Sequence, residues 1–384
     1  MRFEFATATR IIFGRGTLAE VGPIAAAIGS RALVITGRTP ARAAPLLDLL
    51  AAENIETVTY SVAGEPTTET AWEATLEARE AHCDLIIGFG GGSVLDTGKA
   101  AAILLTNGGT PLDYLEVIGR GQPITRRAAP CIAIPTTAGT GAEVTRNAVL
   151  ASPEHRVKVS LRSALMLPRV ALVDPELTLT LSPEVTASTG LDALTQVLEP
   201  YVSHLSNPLT DALCREGMRR AARSLLRAYE RGDDAVARED MSLTSLFGGL
   251  ALANAKLGAV HGFAGPMGGM FHAPHGVICG CLLPHVMAVN VRALQEREPE
   301  SKALRRYDEI AAILTGDPGA TASDGVAWVE GLCQALGVPS LSAYSVTPEE
   351  FPVIIEKASR SSSMKGNPIK LTPDEMREIL TRAL

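Results

Sequence analysis

The stretch GLDALTQVLEPY, residues 190–201, sets a carboxylate, Asp192, four positions before an amide, Gln196, in a mostly apolar run. On a helix that spacing projects both side chains from one face. Far along the chain, VHGFAGPMGGMFHAPHG supplies His261, His272 and His275 among glycines, prolines and apolar residues. Polar groups in such surroundings need a partner, because burying one unsatisfied costs free energy. A carboxylate and two imidazoles make a mixed oxygen and nitrogen donor set that suits Zn²⁺ or Fe²⁺, with a coordination position left open for catalysis. The alternative for each histidine is a hydrogen-bonded core residue. Cys279 and Cys281, in VICGCLLPH, could also be ligands, but an apolar run favours buried packing for both.

A second kind of chemistry is written into GFGGGSVLDTGKA, residues 88–100. It follows a strand pattern and opens a helical one, so its glycines allow close backbone approach while the helix start offers unpaired N–H groups and a positive dipole end. The turn is an anion site. It lacks the GKS/T ending of a P-loop, and Ser93 stands where a standard dinucleotide fingerprint has its third glycine. PTTAGTGAEVT, residues 135–145, is a second such turn after another strand, with hydroxyls on Thr136, Thr137 and Thr140. Either turn alone could be a plain tight turn. Together, at the C-terminal ends of parallel strands, they suit a diphosphate and hence a dinucleotide.

The elements that must position these groups fall into two kinds. RALVITG (31–37), TVTYSV (57–62), DLIIGFG (84–90), CIAIPTT (131–137) and VALVDP (170–175) read as strands. ARAAPLLDLLAAEN (41–54) and ETAWEATLEAREAHC (69–83) alternate with them as helices, which is the pattern of a parallel sheet covered on both faces. Residues 148–161 look like a small hairpin. From about residue 182 strand signals stop and long amphipathic segments take over, starting at Ser182-Pro183-Glu184, an N-cap followed by proline at the first helical position. The expectation is an α/β dinucleotide-binding domain with a Rossmann-like parallel sheet over residues 1–180, and an all-α metal-binding domain over 181–384.

Composition bounds the rest. A chain of 384 residues exceeds one ordinary core at roughly 100–200 residues per domain. A hydrophobic share of 46% and a charged share of 20% give ample core material. The net charge of −7 is spread along the chain without a basic stripe, which argues against a nucleic-acid partner. MRFEFATATRIIFG has no apolar signal region, and no segment runs 18 uninterrupted apolar residues, so the expectation is a cytoplasmic protein without a membrane partner. Apolar helix faces suggest a homodimer.

Taken together and in order, GGGSVLDTGKA, PTTAGTGAEVT, VDPELT, GLDALTQVLEPYVS and VHGFAGPMGGMFHAPHG resemble the iron-containing alcohol dehydrogenase family over essentially the whole chain. The resemblance implies a nicotinamide cofactor, NAD or NADP, between an α/β and a helical domain, and a divalent metal, Fe²⁺ or Zn²⁺. The family's aspartate and three histidines carry over as Asp192, the position of Gln196, His261 and His275, so one ligand departs from the pattern. An amide oxygen can coordinate, but less strongly than imidazole. A second departure is Gly265, where some relatives carry a further histidine; His272 could take over a proton-relay role there. On the cofactor side the resemblance implicates Gly91, Gly92, Ser93 and Asp96 at the pyrophosphate, then Thr136, Thr137, Thr140, Lys158 and Leu177. Where NAD-preferring relatives place an aspartate after the first strand this chain has Gly37, with Arg38 beside it. Loss of the carboxylate and gain of a guanidinium should admit the 2′-phosphate of NADP, unless Arg38 is merely a solvated loop charge.

The reaction this implies is reversible hydride transfer between a small alcohol and its aldehyde or ketone, with the metal as Lewis acid and His261, His275 and His272 as the candidate catalytic residues. A metal-independent reductase of the maleylacetate reductase type is the nearest alternative, favoured by Gln196 and opposed by Asp192. A dehydroquinate synthase-like lyase is more remote, because the segment around His261 lacks the basic residues a phosphorylated acid would need. A non-catalytic nucleotide-binding protein would have little use for the ligand set.

Overall fold

Short unbroken runs of β-branched and apolar residues make strands that need cover on both sheet faces. The computed structural model describes residues 2–155 and 157–384, and divides into two compact units: Ala6–Thr137 with Gly141–Leu179, and Thr180–Leu384 with residues 2–5 and Ala138–Thr140.

The first unit holds strands β1 (Arg10–Phe13), β2 (Arg31–Thr36), β3 (Glu56–Ser61), β4 (Leu85–Gly90), β5 (Cys131–Pro135), β6 (Asn147–Ser152), β7 (Val157–Arg162) and β8 (Val170–Val173). Six form a parallel sheet in the order β1-β8-β5-β4-β2-β3, and β6 and β7 make a separate antiparallel hairpin. Alternate side chains of the same strands feed different cores. Ala32, Val34, Leu85 and Ile87 pack with Val21 and Ala25 of α1 (Val21–Ala26) and with Leu46 and Leu50 of α2 (Ala44–Ala52). Leu33, Ile35 and Ile86 pack with Ala74 and Ala78 of α3 (Thr68–Glu80) and Ala101 and Ala102 of α4 (Gly92–Asn107). A short helix, α5 (Pro111–Tyr114), follows.

The chain steps from β2 outward to β3, then returns across β2 to β4. The C-terminal ends of β2 and β4 therefore form a topological switch point, the place where open α/β sheets bind ligands. Register pairs Thr36 with Phe89, which sets Gly37 alongside Gly90 at that end.

Two features differ from the sequence expectation. β1 has no strand signal in the sequence: at four partly exposed residues on the sheet edge it carries too short an apolar run. PTTAGTGAEVT does not open an α-helix. Gly141 turns left-handed at φ 58, one 3₁₀ turn (Ala142–Val144) follows, and the chain then enters β6.

The second unit is helical: α6 (Pro183–Val202), α7 (Pro208–Glu230), α8 (Ala235–Ala255), α9 (Ala259–Met270), α10 (His275–Arg297), α11 (Lys302–Thr315), α12 (Ala322–Ala335), α13 (Phe351–Arg360) and α14 (Pro373–Ala383). α6 starts as its sequence dictates, with Ser182 Oγ accepting from the Val185 N–H and Pro183 at the first position. From Gly190 to Val202 every residue of α6 is buried, so the polar side chains of that stretch are largely shielded from bulk water. α10 is long and apolar enough by composition to cross a membrane, but its apolar side chains lie in this unit's core. Gly276 lets α10 reach α6, since a Cβ there would lie 1.8 Å from the Ser188 carbonyl oxygen.

Candidate metal centre and phosphate-binding turn

α6 carries Asp192, Gln196 and Glu199 at intervals of four and three residues, one continuous stripe on a helix. α9 brings His261 to that stripe, and the start of α10 brings His275. One ligating atom each from Asp192, His261, His275 and Cys279 lies within 4.8 Å of all the others. His261 Nε2 is 3.1 Å from Asp192 Oδ1, and His275 Nε2 is 4.0 Å from the same oxygen. The two imidazole rings sit 5.4 Å apart at 54°.

Glu199 holds the other edge of His261. Its Oε2 lies 2.7 Å from Nδ1, while Oε1 accepts from the Val260 N–H at 2.6 Å. A carboxylate on Nδ1 fixes the ring orientation and leaves the Nε2 lone pair for a cation, a common arrangement behind metal-bound histidine. Glu199 belongs to no motif of its own; its position seven residues after Asp192, on the same helix face, is the one signal of it in the sequence.

The electrostatics are those of a tightly coupled cluster. Burial opposes the charge on Asp192, but the His261 hydrogen bond and then the charges of His275 and His261 hold its carboxyl below the ordinary value, with the Gln196 amide adding to this. Burial also opposes charge on both imidazoles; Cys279, Glu199 and Asp192 overcome it at His261 and raise it well above its ordinary value, while Cys279 and Asp192 raise His275 against the opposing charge of His261. The Cys279 thiol is pushed up by burial and pulled below its usual value by those two rings. Such a site stabilises anions and protons together, and a divalent cation can replace the protons.

Gln196 is buried, and its Nε2 donates to the Gly139 carbonyl at 3.0 Å. Among the described residues its buried Oε1 has no hydrogen-bond partner, which leaves unmet acceptor capacity beside Asp192. The donor set and this orphaned oxygen both fit a divalent cation. His272 lies elsewhere, exposed in the link between α9 and α10. Among the described residues, beyond its own helix, nothing stands within 4 Å of where a Gly265 side chain would start, so that departure leaves open space. Cys279, expected to be simple packing, lies inside the cluster instead.

In the first unit α4 begins at the end of β4 with Gly91 as its N-cap and no side-chain cap, so the first N–H groups, those of Gly92 and Ser93 among them, have no intrahelical acceptor. The close approach depends on Gly90, where a Cβ would lie 2.5 Å from Val94 Cγ2. The second turn runs beside the first: the Thr136 N–H donates to the Gly90 carbonyl at 2.9 Å, and a Cβ on Gly91 would reach the Thr137 hydroxyl at 3.4 Å. Open backbone faced by a hydroxyl is a fit cradle for phosphate oxygens. Thr140 belongs to the helical unit. Asp96 accepts from the Val149 N–H at 2.9 Å and pairs with Lys99 at 2.9 Å, tying α4 to β6. Lys158 pairs with Glu65 at 3.0 Å. Arg38 is exposed and donates through Nε and Nη2 to the Ala63 carbonyl, and the Leu177 carbonyl accepts from Arg42.

A parallel sheet with an uncapped glycine turn at its switch point, and a helical unit with a largely buried oxygen and nitrogen donor cluster, are the marks of an α/β-plus-helical protein equipped for a nucleotide and a divalent metal. Residues 8–175 match the family described as iron-containing alcohol dehydrogenase, and residues 186–384 match the Fe-containing alcohol dehydrogenase family, C-terminal. The chain belongs to the iron-containing alcohol dehydrogenase family, and it is an enzyme of alcohol and aldehyde oxidoreduction. Alcohol dehydrogenase 4 of Saccharomyces cerevisiae is 36% identical over 309 residues, 79% of this chain and 77% of that one. The crystal structure of a 1,3-propanediol oxidoreductase superposes with a TM-score of 0.93 at 32% identity, covering 100% of both chains. Sulfoacetaldehyde reductase from Bifidobacterium kashiwanohense, solved in complex with NAD⁺, superposes at 0.87 with 27% identity, covering 100% of this chain and 99% of that one.

Proposed function

We propose that the chain is a divalent-metal-dependent, NAD(P)-linked dehydrogenase of a small alcohol, with Asp192, His261 and His275 holding the cation. The observation that carries this reading is the convergence of those three groups' ligating atoms to within 4.8 Å. When bound, the cation supplies Lewis acidity, polarising a carbonyl or lowering an alcohol pKa, and nicotinamide supplies the hydride acceptor or donor. Glu199 keeps His261 oriented with Nε2 toward the cluster, and Asp192 offsets the cation's charge inside a buried site. Gly91, Gly92 and Ser93 would bind the cofactor's pyrophosphate through backbone N–H groups. The names of the relatives, an alcohol dehydrogenase and a propanediol oxidoreductase, support a small alcohol as substrate. Gly37 presents no carboxylate to repel a 2′-phosphate, so the reading extends to NADP as well as NAD.

The test is Asp192→Ala beside metal removal. Both treatments should lower alcohol oxidation at least about a hundredfold, and metal analysis should show stoichiometric cation in the parent protein and little in the variant. Activity that survives both EDTA and Asp192→Ala would overturn the reading and support the metal-independent alternative.

A further inference from the structure

Gln196 occupies the position where the resemblance calls for a third imidazole, and its amide nitrogen is engaged by the Gly139 carbonyl. The remaining ligand set, one carboxylate and two imidazoles, is one strong donor short. Cys279 lies four residues after His275 on α10, so both project from the same face. Its sulfur is fully buried and sits 4.0 Å from His261 Nε2. The neighbouring thiols behave differently. Cys281 donates to the Pro339 carbonyl at 2.9 Å and Cys333 to the Gly280 carbonyl at 3.4 Å, as packed cysteines with ordinary acceptors do.

The separations suit a common ion. With metal–nitrogen and metal–oxygen bonds near 2.1 Å and metal–sulfur near 2.3 Å, tetrahedral donors stand about 3.4 Å apart for nitrogen and oxygen, and about 3.6 Å for nitrogen and sulfur. The observed pairs are 3.1 and 4.0 Å from Asp192 Oδ1 to the two imidazoles, and 4.0 Å from Cys279 to His261. Shifts of a few tenths of an ångström would bring them into register.

We propose that Cys279 is a protein ligand of the metal centre, its thiolate joining Asp192, His261 and His275 in place of the imidazole that Gln196 replaces. The inference rests on the metal reading above and deepens it. Binding releases the thiol proton to solvent, and no electron is transferred. A thiolate in the set makes the site softer, so it selects Zn²⁺ over Fe²⁺ and Mn²⁺.

Metal-free full-length protein titrated with Co²⁺ tests this, because thiolate bound to Co²⁺ gives a near-ultraviolet charge-transfer band that oxygen and nitrogen donors do not. One equivalent of Co²⁺ with that band is expected for the parent and for Cys281→Ser. Cys279→Ser should keep its fold, lose the band and bind Zn²⁺ at least about tenfold more weakly. X-ray absorption of the zinc-loaded parent needs no variant and should show one sulfur at about 2.3 Å. Stoichiometric metal with no charge-transfer band and only oxygen and nitrogen scatterers overturns the Cys279 ligand and leaves the metal centre standing. Failure of the parent to bind either Co²⁺ or Zn²⁺ overturns both.

Discussion

At the scale of single residues, the chemistry turns on substitutions at positions where neighbouring atoms allow them. Gly37 is the clearest case on the cofactor side. Among the described residues a Cβ built there meets only Val94 Cγ2, at 3.9 Å, an ordinary contact, so an aspartate fits without displacing backbone. It would stand at the C-terminal end of β2, beside the α4 turn. A carboxylate there repels the 2′-phosphate of NADP while accepting the ribose hydroxyls of NAD. Gly37→Asp should therefore raise the ratio of kcat/KM for NAD over NADP at least about tenfold, equivalent to about 1.4 kcal/mol, with thermal stability unchanged. A ratio that stays put would show that the 2′ position is read elsewhere. Arg38 is not the residue to mutate first, because its guanidinium already serves the Ala63 carbonyl.

At the scale of elements, the sheet was legible because buried parallel strands are written as continuous apolar runs, and α6 because Ser182 and Pro183 mark a helix start. Asp192 and Gln196 were legible as a pair for the same periodic reason. Three things were hidden: β1, whose four edge residues are only partly covered; the single 3₁₀ turn that replaces a helix after β5; and Cys279, since an apolar run cannot reveal which buried thiol faces two imidazoles. Which helices meet depends on small residues that sequence marks only as glycines. Gly276 and Gly265 make the contrast testable. Gly276→Ala forces a methyl against the Ser188 backbone carbonyl, which cannot swing aside as a side chain would, so the start of α10 must move and carry His275 with it. The expected outcome is a destabilisation of about 1–3 kcal/mol together with weaker metal binding. Gly265→Ala meets nothing within 4 Å and removes a mid-helix glycine, so it should be neutral or stabilising by about 0.5–1 kcal/mol. Equal effects from the two substitutions, read by denaturation and zinc titration, would contradict the packing argument.

At the scale of the whole molecule, the two units keep separate cores: one around α6 to α14, the others on the two faces of the sheet and beneath the β6–β7 hairpin. The candidate metal ligands all belong to the helical unit, and the β4–α4 turn to the α/β unit. A ligand that binds only the folded form stabilises what it binds by RT ln(1 + [L]/Kd), about 2.7 kcal/mol at a hundred times Kd. Local opening that breaks a site should be suppressed by the same factor, roughly a hundredfold slower amide exchange there. Zn²⁺ alone should therefore slow exchange in α6, in α9 and at the start of α10, the three segments whose side chains converge on Asp192. The nicotinamide cofactor alone, NAD or NADP, should slow it across residues 88–97 and at the end of β2. Hydrogen–deuterium exchange with each ligand in turn separates the two sites without any catalytic assay. Zinc protection that spares α9 and α10 would mean that His261 and His275 do not hold the cation, whatever the protein's activity.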